Sequence, residues 1–190
     1  MAADFAAARL NMVESQVRTN DVTDVRLHDV MRAFPRESLI PADKAFQAYA
    51  DVDAEYAPGR YLLRPREVSK MLQAAKPVEG ERVLAIAAPY AAAVLEAIGL
   101  NVTRFDADDL KAPPGGPFDL IVVEGAVSQA PTTWLDALAP GGRLLVIERN
   151  GPTGQAVYYV RGDDGFGRRT LFDAMAPVLP GFEPKAGFAF

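Results

Sequence analysis

The sequence predicts an α/β fold: a doubly wound, mostly parallel sheet, preceded by a helical cap and closed by an antiparallel hairpin. Three observations predict it. From Arg66 onward, apolar runs of strand length alternate with short helical segments, the pattern of a parallel sheet with helices on its faces. The runs "FDLIVV" and "RLLVIE" lack clean two-residue alternation, as strands buried on both faces do. Two β-like runs flank "GDDG" in "QAVYYVRGDDGFGRRTLFD", a strong hairpin signal.

The elements follow in chain order. Phe5, Leu10, Val13 and Val17 put a first helix in rough apolar register. In "DVTDVRLHDVMRAF", Leu27, Val30, Met31 and Phe34 fall at i, i+3, i+4 and i+7, an amphipathic helix with Asp21 or Thr23 as its N-cap. Pro35 and Pro41 break that pattern, "DKAFQAYAD" makes one or two further turns, and "DVDAEYAPGRYLLRP" reads as loop and extended chain. "REVSKMLQAA" carries Val68, Met71, Leu72 and Ala75 on one helical face. Then come strand "ERVLAIAA", helix "YAAAVLEAIG", strand "NVTRFDA", the breaker "KAPPGGP", strand "FDLIVVEGAV", helix "TTWLDALAP", the turn "GG" and strand "RLLVIE". The closing "GFAF" reads as a last strand on the hairpin, and Trp134, Phe166 and Phe172 as core residues. The chain thus divides into a cap and loop over 1–65 and an α/β core over 66–190, joined in one structural unit.

Composition narrows the function. With 190 residues, 49% hydrophobic and 24% charged, the chain has the make-up of an ordinary globular domain. No apolar run approaches the ~20 residues a membrane-crossing helix needs, and the start lacks a basic then apolar leader, so the expected location is cytoplasmic. The absence of cysteine excludes disulfides, thiolate nucleophiles and Cys-ligated zinc; a single histidine argues against a His-rich metal site, and no metal is expected. A net charge of −5 and a pI near 5.0 argue against a broad nucleic-acid surface.

The arrangement is that of the S-adenosylmethionine-dependent methyltransferases, and particular residues narrow the likeness. Val13, Gln16 and Val17, then Val22, Asp24, Arg26, Leu27, Asp29, Met31, Pro35, Arg36, Glu37 and Pro41, then Ala48, Tyr49 and Asp51 follow one ordered pattern. In it the chain resembles the N-terminal cap of the protein-L-isoaspartate O-methyltransferases. "FDLIVVEGAV" and "LDALAPGGRLLVI" resemble that family's fourth and fifth strands and the helix between them. The likeness runs over nearly the whole chain. It implies a methyltransferase-type sheet, an S-adenosylmethionine cofactor, and methyl transfer to the α-carboxylate of isoaspartyl residues in protein repair.

The departures fall where that chemistry would be. The family's first strand ends in an acid and a glycine-rich loop that lets backbone approach the cofactor. Here Ala85 stands at the acidic position, Ala87, Ala88 and Pro89 stand in for the glycines, and the loop is about three residues shorter. Each lost glycine adds a Cβ, and Pro89 removes an N–H donor. In the family's hydroxyl loop, Tyr61 and Leu63 replace threonine and serine, and leucine cannot donate a hydrogen bond to a carboxylate. No catalytic residue is therefore assigned. Arg60 and Arg64 could still recognise an anionic substrate, or else flank an apolar plug as solvated charges.

The core is also shortened by one or two strands. If "NVTRFDADDL" is the family's second strand, Asp106 is the acid that would hold the cofactor's ribose. If it is a later strand, Asp108 or Asp109 lies near the adenine; alternatively, all three are polar loop residues. Glu124, at the end of "FDLIVVE", occupies the crevice edge where open α/β sheets bind ligands, or else caps a nearby helix. His28 falls on the polar side of its helix as a surface or cap-contact residue.

Ala85, Ala87, Asp106, Asp108 and Glu124 thus mark a degenerate cofactor site. The leading expectation is a pseudoenzyme that has lost the cofactor and acts as a binding or scaffold protein. Its partner would be a second copy or another protein at the sheet edge uncovered by the shortening, with neither nucleic acid nor membrane involved. The alternatives are an active isoaspartyl O-methyltransferase using S-adenosylmethionine, and an isoaspartyl-peptide binder without catalysis.

Overall fold

The computed structural model describes residues 4–184. The closing "GFAF" lies outside them. Helix α1 (Phe5–Met12) starts at Asp4, whose carboxylate accepts the Ala7 N–H at 3.0 Å. Helix α2 (Val25–Ala33) is capped by Asp24, which accepts the Arg26 N–H at 3.0 Å. Asp24, rather than Asp21 or Thr23, is therefore the cap. His28 is buried instead of lying on the surface. Its Nε2 is 2.8 Å from the Val22 carbonyl, a polar contact that admits the ring to an otherwise apolar face.

Two 3₁₀ segments (Arg36–Leu39 and Ala42–Tyr49) lead to a small hairpin of β1 (Ala54–Ala57) and β2 (Arg60–Leu62). Helix α3 (Pro65–Ala75) begins with proline, whose missing N–H costs nothing in a first turn. It ends where Lys76 takes a left-handed conformation.

The main sheet comprises β3 (Arg82–Ile86), β4 (Asn101–Phe105), β5 (Phe118–Val127), β6 (Leu138–Arg149), β7 (Gly154–Arg161) and β8 (Phe166–Ala174). Its spatial order is β4-β3-β5-β6-β7-β8. The pairs β3–β4, β3–β5 and β5–β6 are parallel, while β6, β7 and β8 form an antiparallel meander around the expected hairpin. The run "NVTRF" is thus the strand beside β3 on the side away from β5, and it forms one edge of the sheet.

Helix α4 (Pro89–Ala97) connects β3 to β4, but the crossover from β4 to β5 has no helix. Leu110 in that crossover is buried, and its carbonyl accepts the Trp134 Nε1–H at 2.7 Å. Helix α5 (Thr132–Asp136) ends earlier than the sequence pattern predicts, and β6 begins at Leu138 and runs through Gly141 and Gly142.

Two apolar layers enclose the sheet. One packs Leu120, Val122, Leu145 and Ile147 against the cap, α3 and α4. The other packs Leu84, Ile86, Ile121 and Val146 against Trp134, Leu110 and the segment ending at Phe182. This two-sided burial explains the missing alternation in β5 and β6. Trp134 is wholly buried and Phe172 partly so, but Phe166 is 40% exposed because it opens the outermost strand. Among the described residues no helix is long and apolar enough to cross a membrane.

Candidate functional site

In an open parallel sheet the ligand crevice lies at the carboxyl ends of the strands, here where β3 and β5 meet the start of α4. The turn from β3 to α4 is made by Ala87 at φ +46°, a left-handed conformation that ordinarily favours glycine. Holding a Cβ there costs about 1 kcal/mol. The Ala87 N–H donates to the Phe105 carbonyl at 2.9 Å, so the turn is tied to β4. Ala85, Ala87 and Ala88 are all buried, Ala85 and Ala88 in the layer that packs against the cap and Ala87 in the opposite layer.

Glu124 projects from β5 into the same place and is fully buried. Its Oε1 accepts the Ala91 N–H at 2.7 Å and its Oε2 the Leu63 N–H at 3.0 Å. Burial pushes the carboxyl group's pKa above the ordinary carboxylate range, against the pull of Arg36 and of the N–H groups of Ala91, Leu63 and Tyr90. The crevice-edge acid and the helix cap anticipated as alternatives are thus one residue.

Arg36 completes the filling. It has no exposed surface; its Nε donates to the Ala48 carbonyl at 2.8 Å and its Nη2 to the Leu63 carbonyl at 2.5 Å. The guanidinium lies 4.4 Å from the centre of the Tyr90 ring, itself wholly buried. Leu63, at the position of the family's hydroxyl, gives its N–H to Glu124 and its carbonyl to Arg36 while its side chain joins the core.

The hairpin β1–β2 covers this assembly. Arg60 Nε donates to Asp106 Oδ1 at 2.8 Å, Arg60 Nη2 to the Ala107 carbonyl at 3.0 Å, and the Tyr56 hydroxyl to Asp106 Oδ2 at 2.6 Å. Burial and the Asp106 carboxylate push the Tyr56 phenol far up, keeping it a donor. Structure thus joins a residue expected on the substrate side to one expected on the cofactor side. Arg64 instead turns to Asp53, donating its N–H at 3.1 Å, with Nε 3.6 Å from the second oxygen. Asp108 is exposed, and Asp109 caps the local turn at Lys111.

Arg36, Tyr56 and Tyr90 are the site residues that sequence reasoning missed. Arg36 stood in the matched cap pattern, so its type and place were visible, but not its burial. Surface grooves lie to either side: one of about 520 Å³ beside the carboxyl ends of β5 and β6, lined by Ser128, Glu148 and Asn150, and two of about 660 Å³ at the amino ends of the strands. Of these two, one is lined by Thr23, Gln73 and Pro77, the other by Asn101, Thr103 and Pro117.

A doubly wound sheet with its crevice at the start of α4 defines a methyltransferase-type fold. Solved structures agree. A protein-L-isoaspartate O-methyltransferase superposes with a TM-score of 0.73 at 18% identity, covering 92% of this chain and 67% of that one. A putative protein-L-isoaspartate O-methyltransferase from Plasmodium falciparum, in complex with S-adenosyl-L-homocysteine, gives 0.71 at 15% identity, covering 90% and 97%. In sequence, residues 101–166 match the family described as Protein-L-isoaspartate(D-aspartate) O-methyltransferase. The Protein-L-isoaspartate O-methyltransferase of Methylorubrum extorquens is 34% identical over 94% of this chain and 91% of its own length. The chain belongs to the protein-L-isoaspartate O-methyltransferase family. By kinship the active alternative stands ahead of the non-catalytic reading, because these relatives carry the enzyme's name.

The residues present do not fit the family's cofactor in that crevice. A ligand of this size needs a cleft of roughly 300 Å³ or more. The crevice here is packed with the side chains of Ala87, Tyr90, Glu124, Arg36, Leu62 and Leu63, each buried.

Proposed function

We propose that this family member does not take S-adenosylmethionine in the crevice of its fold and acts as a binding protein. The observation that carries this reading is the filling of the crevice by Glu124, Tyr90 and Arg36, which have no exposed surface: Glu124 and Arg36 bond to the neighbouring main chain, and the guanidinium stacks on the Tyr90 ring. The test is calorimetric titration of the full chain with S-adenosylmethionine and S-adenosylhomocysteine. No heat is expected up to about millimolar ligand, where binding would be worth only ~4 kcal/mol; micromolar binding overturns the reading.

A second reading, methyl transfer to isoaspartyl carboxylates, is favoured by the names of the relatives. Transfer of labelled methyl groups to an isoaspartyl peptide would establish it. Recognition of such a peptide without transfer would rest on Arg60 and Arg64, which would have to leave Asp106 and Asp53. Peptide binding that survives alanine at both positions rules it out.

The binding surface we assign is the outer edge of β4, and its partner a second copy of the chain. Asn101 and Phe105 direct main-chain groups toward Glu81 and Ala87, so by alternation Val102 and Arg104 face outward. A two-fold antiparallel pairing centred on Thr103 sets Val102 opposite Arg104 in both directions and matches every outward group. It opposes no like charges directly, and Arg104 is already neutralised by Glu96 at 2.7 and 2.8 Å.

A further inference from the structure

Glu124 is a buried acid whose partners come from distant parts of the chain. Its two hydrogen bonds reach Leu63, 61 positions away, and Ala91, 33 positions away. Ala91 lies in the first turn of the nine-residue helix α4, whose leading N–H groups have no acceptor within the helix and favour negative charge. The carboxyl group therefore stands where an external anion would sit on a helix N-terminus.

A second observation, from the cap, points to the same place. Arg36 is wholly buried, and its Nη1 has no partner among the described residues; the hydroxyl of Tyr90, beneath the guanidinium, has none either. Arg36 and Glu124 each influence the other's titration, so the cation's field falls on the carboxyl group. A buried guanidinium left without a compensating acid would be severely destabilising. Hairpin, helix and sheet thus meet at one carboxyl group, and Arg36 of the cap bonds to the same residue, Leu63, through its carbonyl.

We propose that Glu124 is an internal surrogate ligand: its carboxyl group fills a carboxylate-binding site built from the N–H groups of Leu63 and Ala91, beside the buried Arg36 that holds the Leu63 carbonyl. Removing the side chain opens that site to a small free carboxylate. The inference rests on the filled-crevice reading and adds the chemistry of what fills it. Formate and acetate match the severed group, whereas benzoate is too large for the space one glutamate leaves.

The test compares wild type with Glu124→Ala in thermal melts, titrating formate, acetate, benzoate and, at equal ionic strength, chloride. The variant is expected to melt lower and to regain melting temperature saturably with formate or acetate, but not with benzoate or chloride; wild type is expected to respond to none of them. Equal responses in both proteins, or a folded variant unmoved by formate, overturn the proposal. Should Glu124→Ala fail to fold, its refolding yield in formate is compared with that in chloride, and no difference likewise overturns it. The cofactor plays no part in this experiment. An unrescued variant beside a wild type that ignores S-adenosylmethionine refutes the surrogate alone, whereas micromolar cofactor binding by wild type refutes the reading beneath it.

Discussion

Arg60 holds Asp106 at 2.8 Å, fastening the β1–β2 hairpin to the end of β4 across 46 positions of sequence. Tyr56 adds its hydroxyl to the same carboxylate, so Asp106 is the catch of a two-pronged latch. Asp106→Ala removes both prongs. Because the carboxylate is partly solvated, the expected loss is about 1 kcal/mol in global stability. The sharper signature is local: amide exchange over 54–63 should quicken more than exchange in β5, and equal change in both would refute the latch.

Arg143 is a stronger tie. It pairs with both oxygens of Glu81 at 2.8 Å and donates to the carbonyls of Ala75, at 2.6 Å, and Asp119, at 3.0 Å, joining β6 to the end of α3. Arg143→Ala should cost about 2–3 kcal/mol in urea unfolding, since it strands Glu81 and several carbonyls.

That pair also sets a pH dependence. Burial alone would raise the Glu81 carboxyl, but Arg143 and the Val78 N–H outweigh it and hold the group below its ordinary value near 4.5. A lowered folded-state pKa contributes stability above the unfolded value, and that contribution is lost as pH falls through the folded value. The stability gap between wild type and Arg143→Ala should therefore narrow below about pH 4.5; a gap constant from pH 7 to 3 contradicts the assignment.

Ala87 holds a left-handed turn with a Cβ. Ala87→Gly relieves a local cost of about 1 kcal/mol, offset in part by the greater freedom of glycine in the unfolded chain, so a net gain of about 0.5 kcal/mol is expected. A loss in denaturant titration would mean that packing of the buried methyl outweighs the backbone term.

Val102→Pro tests the proposed pairing at β4. The Val102 N–H faces away from β3, so proline there removes no bond within the sheet while deleting one across the two-fold. Sedimentation should show a dimer for wild type and a monomer for the variant, which keeps the wild-type circular dichroism spectrum and melts no lower than wild type diluted until it is monomeric. A wild-type monomer, or a variant that remains dimeric, removes this surface.

The elements were legible because side-chain spacing is a local property. Met71 and Leu72 on α3, the continuous apolar run of β5 and the "GDDG" hairpin each declare their period within a dozen residues. Errors arose where a contact overrode the pattern. His28 entered the interior because the Val22 carbonyl met its ring, and Phe166 stayed out because, among the described residues, no strand lies beyond β8.

By itself the sequence determined the order of strands and helices, the kinship, and the loss of glycines and hydroxyls at Ala87, Tyr61 and Leu63. Only the tertiary structure decided what occupies the crevice. Glu124 was visible as an acid at a strand end, Arg36 as one residue of a cap motif, and Arg60 as a possible anion hook. Their joint arrangement depends on contacts spanning 27 to 61 positions. Local propensity carries no information about such contacts; burial and pairing are settled only when the cap, hairpin and sheet close on one another.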